Sequence, residues 1–312
     1  MKLTPEAARR RTPPLTSLLS SALVLLGSAA TFAQASTDSF AIYDTGAGRT
    51  VSLPGLVGSL AEADVVFFGE THDDPLAHHL EDSIYAALLA RYGQVALSLE
   101  MFEADVQPVV DEYLAGLIDR DRLEGDGRAW PNYEAYHPLV ERARAAGQDV
   151  VAANAPGRHT RLVGRRGPGA LDELPRESRE VLPRRPYRYV DTAYRRRFGE
   201  LMGGVSGHAG AATSGTDVED LSPFFAAQML WDATMAERIY ERWRRGRRDD
   251  AKVFHVTGSF HVDYRQGTVS QLRALSRWPT ARTIVVVPPG ESTPDDLDAL
   301  AERADFVVVR AR

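Results

Sequence analysis

The chain has 312 residues, of which 44% are hydrophobic and 26% are charged, and its formal net charge is −6. This composition allows a substantial core and argues against disorder over most of the length. The chain contains no cysteine, which excludes disulfides, thiolate metal ligands, iron–sulfur clusters, cysteine catalysis and lipidation of an N-terminal cysteine.

The first 35 residues have the pattern of a secretory signal peptide. Lys2 and the arginines at 9–11 form a positive region, "LTSLLSSALVLLGSAA" is a short apolar segment, and "AQA" at 33–35 fits a cleavage site. The apolar segment is interrupted by Ser and Thr and is short for a membrane span of about 20 residues. We therefore expect a leader at 1–35, a single mature domain at 36–312, and no integral membrane span once the leader is removed.

Removal of the leader changes the charge. It carries four basic residues and one acidic residue, so its loss takes the formal charge from −6 to −9. A chain this acidic is not expected to bind nucleic acid or an anionic membrane surface. The expected location is the periplasm or the extracellular medium.

Apolar runs alternate with longer amphipathic segments along the mature chain. The runs "DVVFFGE", "QVALSLEMF" and "DVVAANAP" predict buried strands, and "PLAHHLEDSIYAALLARYG" predicts a helix with Asp74 as its N-cap and Gly93 at its end. After a helical, arginine-rich section of about residues 171–248, "AKVFHVTGSF", "RTIVVVPPG" and "ADFVVVRA" resume the strand pattern. This order predicts an α/β fold with a largely parallel central sheet flanked by helices and a helical middle insertion. Within the insertion, "GGVSGHAGAATSGTD" is typical of a mobile surface loop.

Polar side chains follow four of the predicted strands. Both "VVFFGETH" and "VFHVTGSFH" lead an apolar strand into G-x-x-H, which pairs Gly69 with His72 and Gly258 with His261. One polar residue after a strand is often only a cap or a turn residue, but two equal motifs and a carboxylate after a third strand favour a shared site. Ligands of open α/β sheets bind outside the carboxyl ends of the strands. The candidates for one crevice there are Glu70, His72, Glu100, Asn154 and His261.

A second feature lies in "PFFAAQMLWDATMAERIYERW". Gln228 and Asp232 interrupt an otherwise apolar helical stripe that contains Phe225, Met235 and Ile239. A buried carboxylate needs a partner. The sequence leaves open whether Asp232 bonds a loop or forms the wall of a pocket.

Two further segments carry ionisable side chains. "RRPYRYVDTAYRRRF", residues 184–198, has six arginines and three tyrosines. It is interpreted either as a solvated helix face or as a receptor for the carboxylates of a ligand. His78 and His79 are interpreted as ordinary surface or partly buried residues.

Five motifs in order resemble the ChaN-like haem-binding family. They are "FFGETHDDP", "LSLEMFEADVQPVVDEYLAG", "NYEAYHPLVERARAAGQDVVAANAP", "AAQMLWDATMAE" and "VTGSFHVDYRQG", and together they cover about residues 64–267. The family belongs to the Tiki superfamily, which also includes TraB proteins and erythromycin esterases. In that superfamily G-x-x-H motifs and glutamates form the presumed site, which the resemblance maps to Glu70, His72, Glu100 and His261.

The resemblance implies an exported protein for haem or iron acquisition or handling, with haem at a homodimer interface and the iron bound by a tyrosine. A phenolate suits ferric iron. Some relatives are lipoproteins, and this chain lacks the cysteine that lipidation requires. The candidate haem-binding residues within the matching motifs are Tyr133, Tyr136, Tyr264, Gln228 and Asp232. The tyrosine that binds the iron is left open, because Tyr187, Tyr189 and Tyr194 accompany the arginines of residues 184–198.

The alternative is a hydrolase of the Tiki and TraB type that depends on a divalent ion. His72, Glu100 and His261 would bind zinc, manganese or cobalt and leave a position for water, with Glu70 as general base or further ligand, for hydrolysis of a peptide or ester. The paired G-x-x-H motif favours this alternative, whereas the middle motifs favour haem. A binding module that retains an ancestral site only as structure is a third interpretation.

Overall fold

The computed structural model describes residues 40–184, 186–187, 189–205, 222–247, 250–288, 291 and 297–310. Its strands are β1 (Phe40–Asp44), β2 (Arg49–Val51), β3 (Val65–Glu70), β4 (Val95–Glu103), β5 (Val150–Asn154), β6 (Lys252–Gly258), β7 (Ala281–Val286) and β8 (Phe306–Arg310). Its helices are α1 (Leu53–Ser59), α2 (Pro75–Tyr92), α3 (Gln107–Leu114), α4 (Arg120–Asp126), α5 (His137–Ala145), α6 (Gly157–Arg166), α7 (Arg176–Arg179), α8 (Thr192–Val205), α9 (Pro223–Gly246), α10 (Gly267–Leu275) and α11 (Leu297–Arg303). The predicted leader lies outside these residues. The first three residues of the predicted loop at 203–217 belong to α8. The rest of that loop lies outside the residues that the structure describes.

The strands form one sheet in the order β2-β1-β8-β7-β3-β6-β4-β5. From β8 to β5 every neighbouring pair is parallel. Among the described strands, β1 near the edge of the sheet is the one that runs antiparallel, both to β2 and to β8. The predicted fold, a largely parallel sheet flanked by helices with a helical section in the middle of the chain, is therefore confirmed.

The two faces of the sheet carry separate parts of the core. Phe68 and Phe254 point to the side of α2, where the Tyr85 ring stacks on Phe254 at 5.7 Å between centroids. Phe67 points to the opposite side and packs with Ile239 of α9. Because both faces are covered, the parallel strands are apolar along nearly their whole length.

Capping explains how the chain passes from β3 into α2. The Asp74 carboxylate accepts a hydrogen bond from the Leu76 amide at 3.0 Å, and Pro75 occupies the first helical turn. At the other end Gly93 has φ 74°, a left-handed conformation that glycine adopts without strain. The four residues between Glu70 and Pro75 are thus held between a strand end and a capped helix. In the described part of the chain, every helix falls short of the length or the apolar character that a bilayer span requires.

Candidate functional site

The two G-x-x-H motifs lie side by side because β3 and β6 are hydrogen-bonded neighbours. Glu70 is in register with Gly258. A Cβ atom on Gly258 would lie 2.9 Å from His72 Nε2 and 3.8 Å from His261 Cδ2. Both imidazoles therefore flank one glycine, and its missing side chain leaves the space into which the His72 ring fits.

Glu100 of β4 reaches the same point from the other side of β6. Its Oε2 accepts hydrogen bonds from the Thr257 hydroxyl at 2.5 Å and the Gly258 amide at 2.9 Å. Its Oε1 lies 3.6 Å from His261 Nε2. Burial alone would raise the pKa of Glu100, but the charges of His261 and His72 and the two hydrogen bonds outweigh burial and lower the pKa. Glu100 is therefore a carboxylate at neutral pH.

The imidazole of His261 is held from behind by Asp232 of α9. Its Nδ1 lies 2.7 Å from Asp232 Oδ1. Burial alone would lower the pKa of His261, but the charges of Asp232 and Glu100 outweigh burial and raise the pKa to about 9. His261 is therefore an imidazolium at neutral pH, between two carboxylates.

Asp232 is itself fixed by two more hydroxyls. It accepts hydrogen bonds from Thr268 at 2.9 Å and from the buried Tyr194 at 2.8 Å. Gln228 Nε2 donates to the Tyr194 hydroxyl at 2.8 Å and lies 3.3 Å from His261 Nδ1. The polar interruption of the α9 stripe thus supports the second G-x-x-H motif. The sequence named Tyr194 only as one of the tyrosines of the arginine-rich segment that could bind haem iron, and it did not predict the bond to Asp232.

His72 is the accessible member of the group. Its side chain is 40% exposed, and its Nδ1 lies 2.9 Å from Glu70 Oε1. The edge of the ring meets Trp130 at 4.9 Å between centroids. Burial alone would lower the pKa of His72, but the hydrogen bond to Glu70 and the charge of Glu100 raise it despite the opposing charge of His261. Each histidine is therefore oriented through Nδ1 by a carboxylate.

Glu70 has further contacts, with Tyr136 and with His78 of α2, which in turn lies near Glu81. Its Oε1 also accepts a hydrogen bond from the buried Tyr136 hydroxyl at 2.6 Å. Its Oε2 lies 3.3 Å from Nδ1 of His78, which in turn lies 3.4 Å from Glu81 Oε2. The sequence did not assign His78 and Glu81 to a site. Their spacing of three residues on one face of α2 was the available signal.

Three of the predicted residues lie apart from this group. Asn154 ends β5, beyond β4, and its side chain accepts the Ala155 amide at 2.9 Å. The Tyr133 ring packs in the core against Phe102. Tyr264 is 44% exposed, in the connection that follows His261.

Tyr264 also has an unusual backbone. Its φ is 59°, a left-handed conformation that costs a non-glycine residue roughly 1–2 kcal/mol. The guanidinium of Arg197 lies 4.9 Å from the Tyr264 ring and 4.4 Å from the Phe260 ring. Arg197 also donates to the carbonyl oxygens of Phe260 at 2.6 Å and Asp263 at 2.9 Å. The arginine-rich segment thus contributes one half-buried side chain that binds the 260–264 connection.

Comparison with known proteins identifies a family and solved structures of similar fold. The family model described as haem-binding uptake, Tiki superfamily, ChaN matches residues 56–272. A solved structure that describes cofacial haem binding to ChaN of Campylobacter jejuni has a TM-score of 0.65 and 16% identity, and covers 88% of this chain and 97% of that one. An erythromycin esterase in its open conformation has a TM-score of 0.47 at 13% identity, and covers 81% of this chain and 92% of that one.

One curated relative also matches in sequence. It is the chloroplastic protein RETICULATA-RELATED 5 of Arabidopsis thaliana, which is 26% identical over 247 residues. The match covers 73% of this chain but only 31% of that protein. The chain therefore spans about a third of the relative's length.

Proposed function

Because the chain belongs to the ChaN haem-binding uptake family of the Tiki superfamily, we propose that it is an exported protein that binds haem and serves haem or iron acquisition. The family match over residues 56–272 is the observation that carries this proposal. It spans both G-x-x-H motifs and the exposed tyrosine between β6 and α10. The signal peptide that the sequence predicts at 1–35 supports export to the periplasm or the medium.

Tyr264 is the proposed iron ligand. Tyr133 and Tyr136 are buried, and burial raises the pKa of both hydroxyls. Tyr136 is also committed as a donor to Glu70. An iron ligand must be reachable and able to lose its proton, and the ring of Tyr264 is exposed. Its left-handed backbone supports the assignment, since strain of this kind concentrates at functional sites.

The surroundings of Tyr264 suit a flat apolar molecule that carries carboxylates. Arg197 offers a positive charge beside the Tyr264 ring. Elsewhere on the helical section that supplies Arg197, two apolar side chains are exposed: Leu201 of α8 at 50% and Phe224 at the start of α9 at 65%. Gln228 and Asp232 are buried behind Tyr194. We propose that Gln228 and Asp232 support the haem-binding surface from within the protein.

We further propose that two copies of the chain enclose haem between these exposed surfaces. The ChaN structure from Campylobacter jejuni describes cofacial haem binding. An exposed tyrosine ligand and exposed apolar side chains on one chain fit a site that a second copy completes. Light scattering with and without haemin tests this, because the mass should double on binding.

Haemin titration monitored by absorbance tests the ligand. The wild-type protein should saturate with a phenolate-type spectrum, and Tyr264→Phe should lose that spectrum while the fold remains intact. Tyr189→Phe is the matched control, because Tyr189 is 41% exposed and Tyr264 is 44% exposed. Binding should survive the double substitution of His72 and His261 by Ala. Failure of the wild type to bind haemin, or an unchanged spectrum in Tyr264→Phe, contradicts the proposal.

The orientation of the two histidines favours a second candidate function, hydrolysis that depends on a divalent ion. Ligating histidines commonly have one ring nitrogen held by a carboxylate, as Glu70 holds His72 and Asp232 holds His261. The residues that would hold zinc, manganese or cobalt are His72, Glu100 and His261, and His261, which is protonated in the metal-free protein, would have to lose its Nε2 proton on binding. Such an ion supplies activated water for ester or peptide hydrolysis. His261→Ala should then abolish hydrolysis without affecting haem, and retention of hydrolysis contradicts this candidate.

A further inference from the structure

Three ionisable side chains meet in the interior between β3 and α2, behind His72. Glu70 ends β3, and His78 and Glu81 lie on the inner face of α2. One ligand atom from each lies within 4.8 Å of the others. The side chains of Glu70 and Glu81 are fully buried, and that of His78 is 13% exposed. We call these three residues the interior cluster. His78 and Glu81 have no role in the hydrolytic candidate described above, whereas Glu70 orients His72 there.

Hydrogen bonding determines which nitrogen of His78 faces the carboxylates. Its Nε2 lies 3.1 Å from the carbonyl oxygen of His72. A carbonyl only accepts, so Nε2 carries the proton and, in the neutral ring, Nδ1 has the lone pair. Nδ1 lies 3.3 Å from Glu70 Oε2 and 3.4 Å from Glu81 Oε2. Imidazoles that bind metals commonly donate their second N–H to a backbone carbonyl in this way.

Two carboxylate oxygens of the interior cluster lack hydrogen-bond partners. Glu70 Oε2 and Glu81 Oε1 are buried and accept no hydrogen bond from any residue that the structure describes. The other oxygen of Glu70 is occupied by His72 and Tyr136. Buried charges in proteins are paired or coordinate metals. Burial and the neighbouring charge of Glu70 accordingly raise the pKa of Glu81 when no cation is present.

We propose that Glu70, His78 and Glu81 bind a divalent first-row transition ion, zinc or manganese. Two carboxylates and one imidazole are a donor set that suits these ions. Two positive charges would neutralise both carboxylates and give a partner to each unpaired oxygen. The ion would have a structural role, because His78 and Asn132 both bond the His72 carbonyl oxygen, at 3.1 Å and 2.6 Å. Binding would fix the segment that carries His72.

Calorimetric titration of haem-free, chelator-treated protein with zinc or manganese chloride tests the site. The wild-type chain should bind a single ion, confirmed by elemental analysis after dialysis. Glu81→Gln keeps the shape of the side chain and removes a ligand charge, so the affinity for the ion should fall by at least about 100-fold. Loss of a residue that only hydrogen-bonds to a metal ligand has a smaller effect. His78→Gln should behave likewise. His79→Gln is the matched control, because His79 is exposed on the same turn of α2.

Two comparisons locate the ion. His261→Ala removes a ligand of the hydrolytic candidate and should leave this affinity unchanged. Chelation should lower the melting temperature of the wild type but not that of Glu81→Gln. The proposal is overturned if the affinity follows His261 and His72 instead of His78 and Glu81. It is equally overturned if the wild type binds no ion and chelation does not change its melting temperature. The three side chains would then be held together by shared protons and not by a metal ion.

Discussion

The imidazole of His261 and the carboxylate of Asp232 form a buried pair, with 2.7 Å between Nδ1 and Oδ1. The pair joins the connection after β6 to α9, so the second G-x-x-H motif depends on a helix that precedes it in the chain. Removing one partner of a buried pair leaves the other charge uncompensated. The contribution of this pair to the stability of the folded protein therefore depends on pH.

We expect Asp232→Asn to destabilise the metal-free protein most at acidic to neutral pH. The folded-state pKa of His261 is raised to about 9, above the unfolded value of about 6.5. The stabilisation from this group is therefore complete below the unfolded pKa and is lost as pH rises through the folded pKa. The free energy of unfolding of Asp232→Asn should be about 2 kcal/mol below that of the wild type at a pH below ~6.5. The difference should shrink as the pH rises through the folded-state pKa of about 9.

Urea unfolding on both sides of the window measures this difference. Asp121→Asn is the control, because Asp121 is exposed on α4 and its loss should not change the pH dependence. A deficit in Asp232→Asn that stays constant from acidic to alkaline pH would show that His261 does not titrate with Asp232.

A methyl group on Gly258 should displace His72 without unfolding the chain. The φ of Gly258 is −57°, so alanine fits the backbone, but its Cβ would lie 2.9 Å from His72 Nε2. The exposed ring can swing away, which breaks the contact with Glu70. We expect the NMR resonances of His72 to shift and its pKa to fall, with less than about 1 kcal/mol change in stability.

Gly164→Ala is the matched control, because a Cβ there meets no atom within 4 Å. It should leave the resonances of His72 unchanged. If Gly258→Ala also leaves them unchanged, the close packing of His72 on Gly258 is wrong.

Much of the fold was predictable from local patterns. The apolar runs predicted β3 to β8, and Asp74 and Gly93 predicted both ends of α2. The predicted membership of the ChaN family was confirmed over residues 56–272. The hairpin of β1 and β2 was missed, because its strands are short and largely exposed or half-buried and lack a continuous apolar run.

The site was predictable only in part. Parallel strands end at one edge, which was enough to expect His72, Glu100 and His261 near one another. The order of strands depends on long-range pairing, so the insertion of β6 between β3 and β4 was not visible. His78 and Glu81 were missed because an ionisable pair at i and i+3 is common on exposed helix faces. Only the packing of α2 on β3 shows that this pair is turned inward.

His255 should make the protein sensitive to acid. It is buried in β6, with Nδ1 3.0 Å from the Ser98 hydroxyl oxygen. Burial lowers the folded-state pKa of His255 to about 3, whereas the unfolded chain takes up its proton near pH ~6.5. The stability should therefore decline as pH falls between these values, by at most about 1.4 kcal/mol per pH unit from this group.

The double variant His255→Leu with Ser98→Ala removes the imidazole and its partner together and should reduce this acid-dependent loss. Ser98→Ala alone controls for the missing hydroxyl. Equal slopes of stability against pH in the wild type and the double variant would assign the acid sensitivity to other groups.

Arg197 should position Tyr264 for haem. Its guanidinium donates to the carbonyl oxygens of Phe260 and Asp263 and lies 4.9 Å from the Tyr264 ring. Arg197→Met keeps an unbranched side chain but removes the guanidinium, and with it both hydrogen bonds and the charge. Haemin affinity should fall by at least about tenfold, equal to about 1.4 kcal/mol, while the phenolate-type spectrum of the bound form persists.

The same haemin titration of Arg196→Met distinguishes the positioning of Tyr264 by Arg197 from the general effect of a positive charge on α8. Arg196 lies next to Arg197 on α8, and its guanidinium is exposed 3.8 Å from Glu200. Its loss removes an equal charge from the surface without touching the Tyr264 connection, so affinity should change less than about twofold. Equal weakening in both variants would mean that α8 attracts haem only through its overall charge. A changed spectrum in Arg197→Met would mean that the arginine controls the ligand itself.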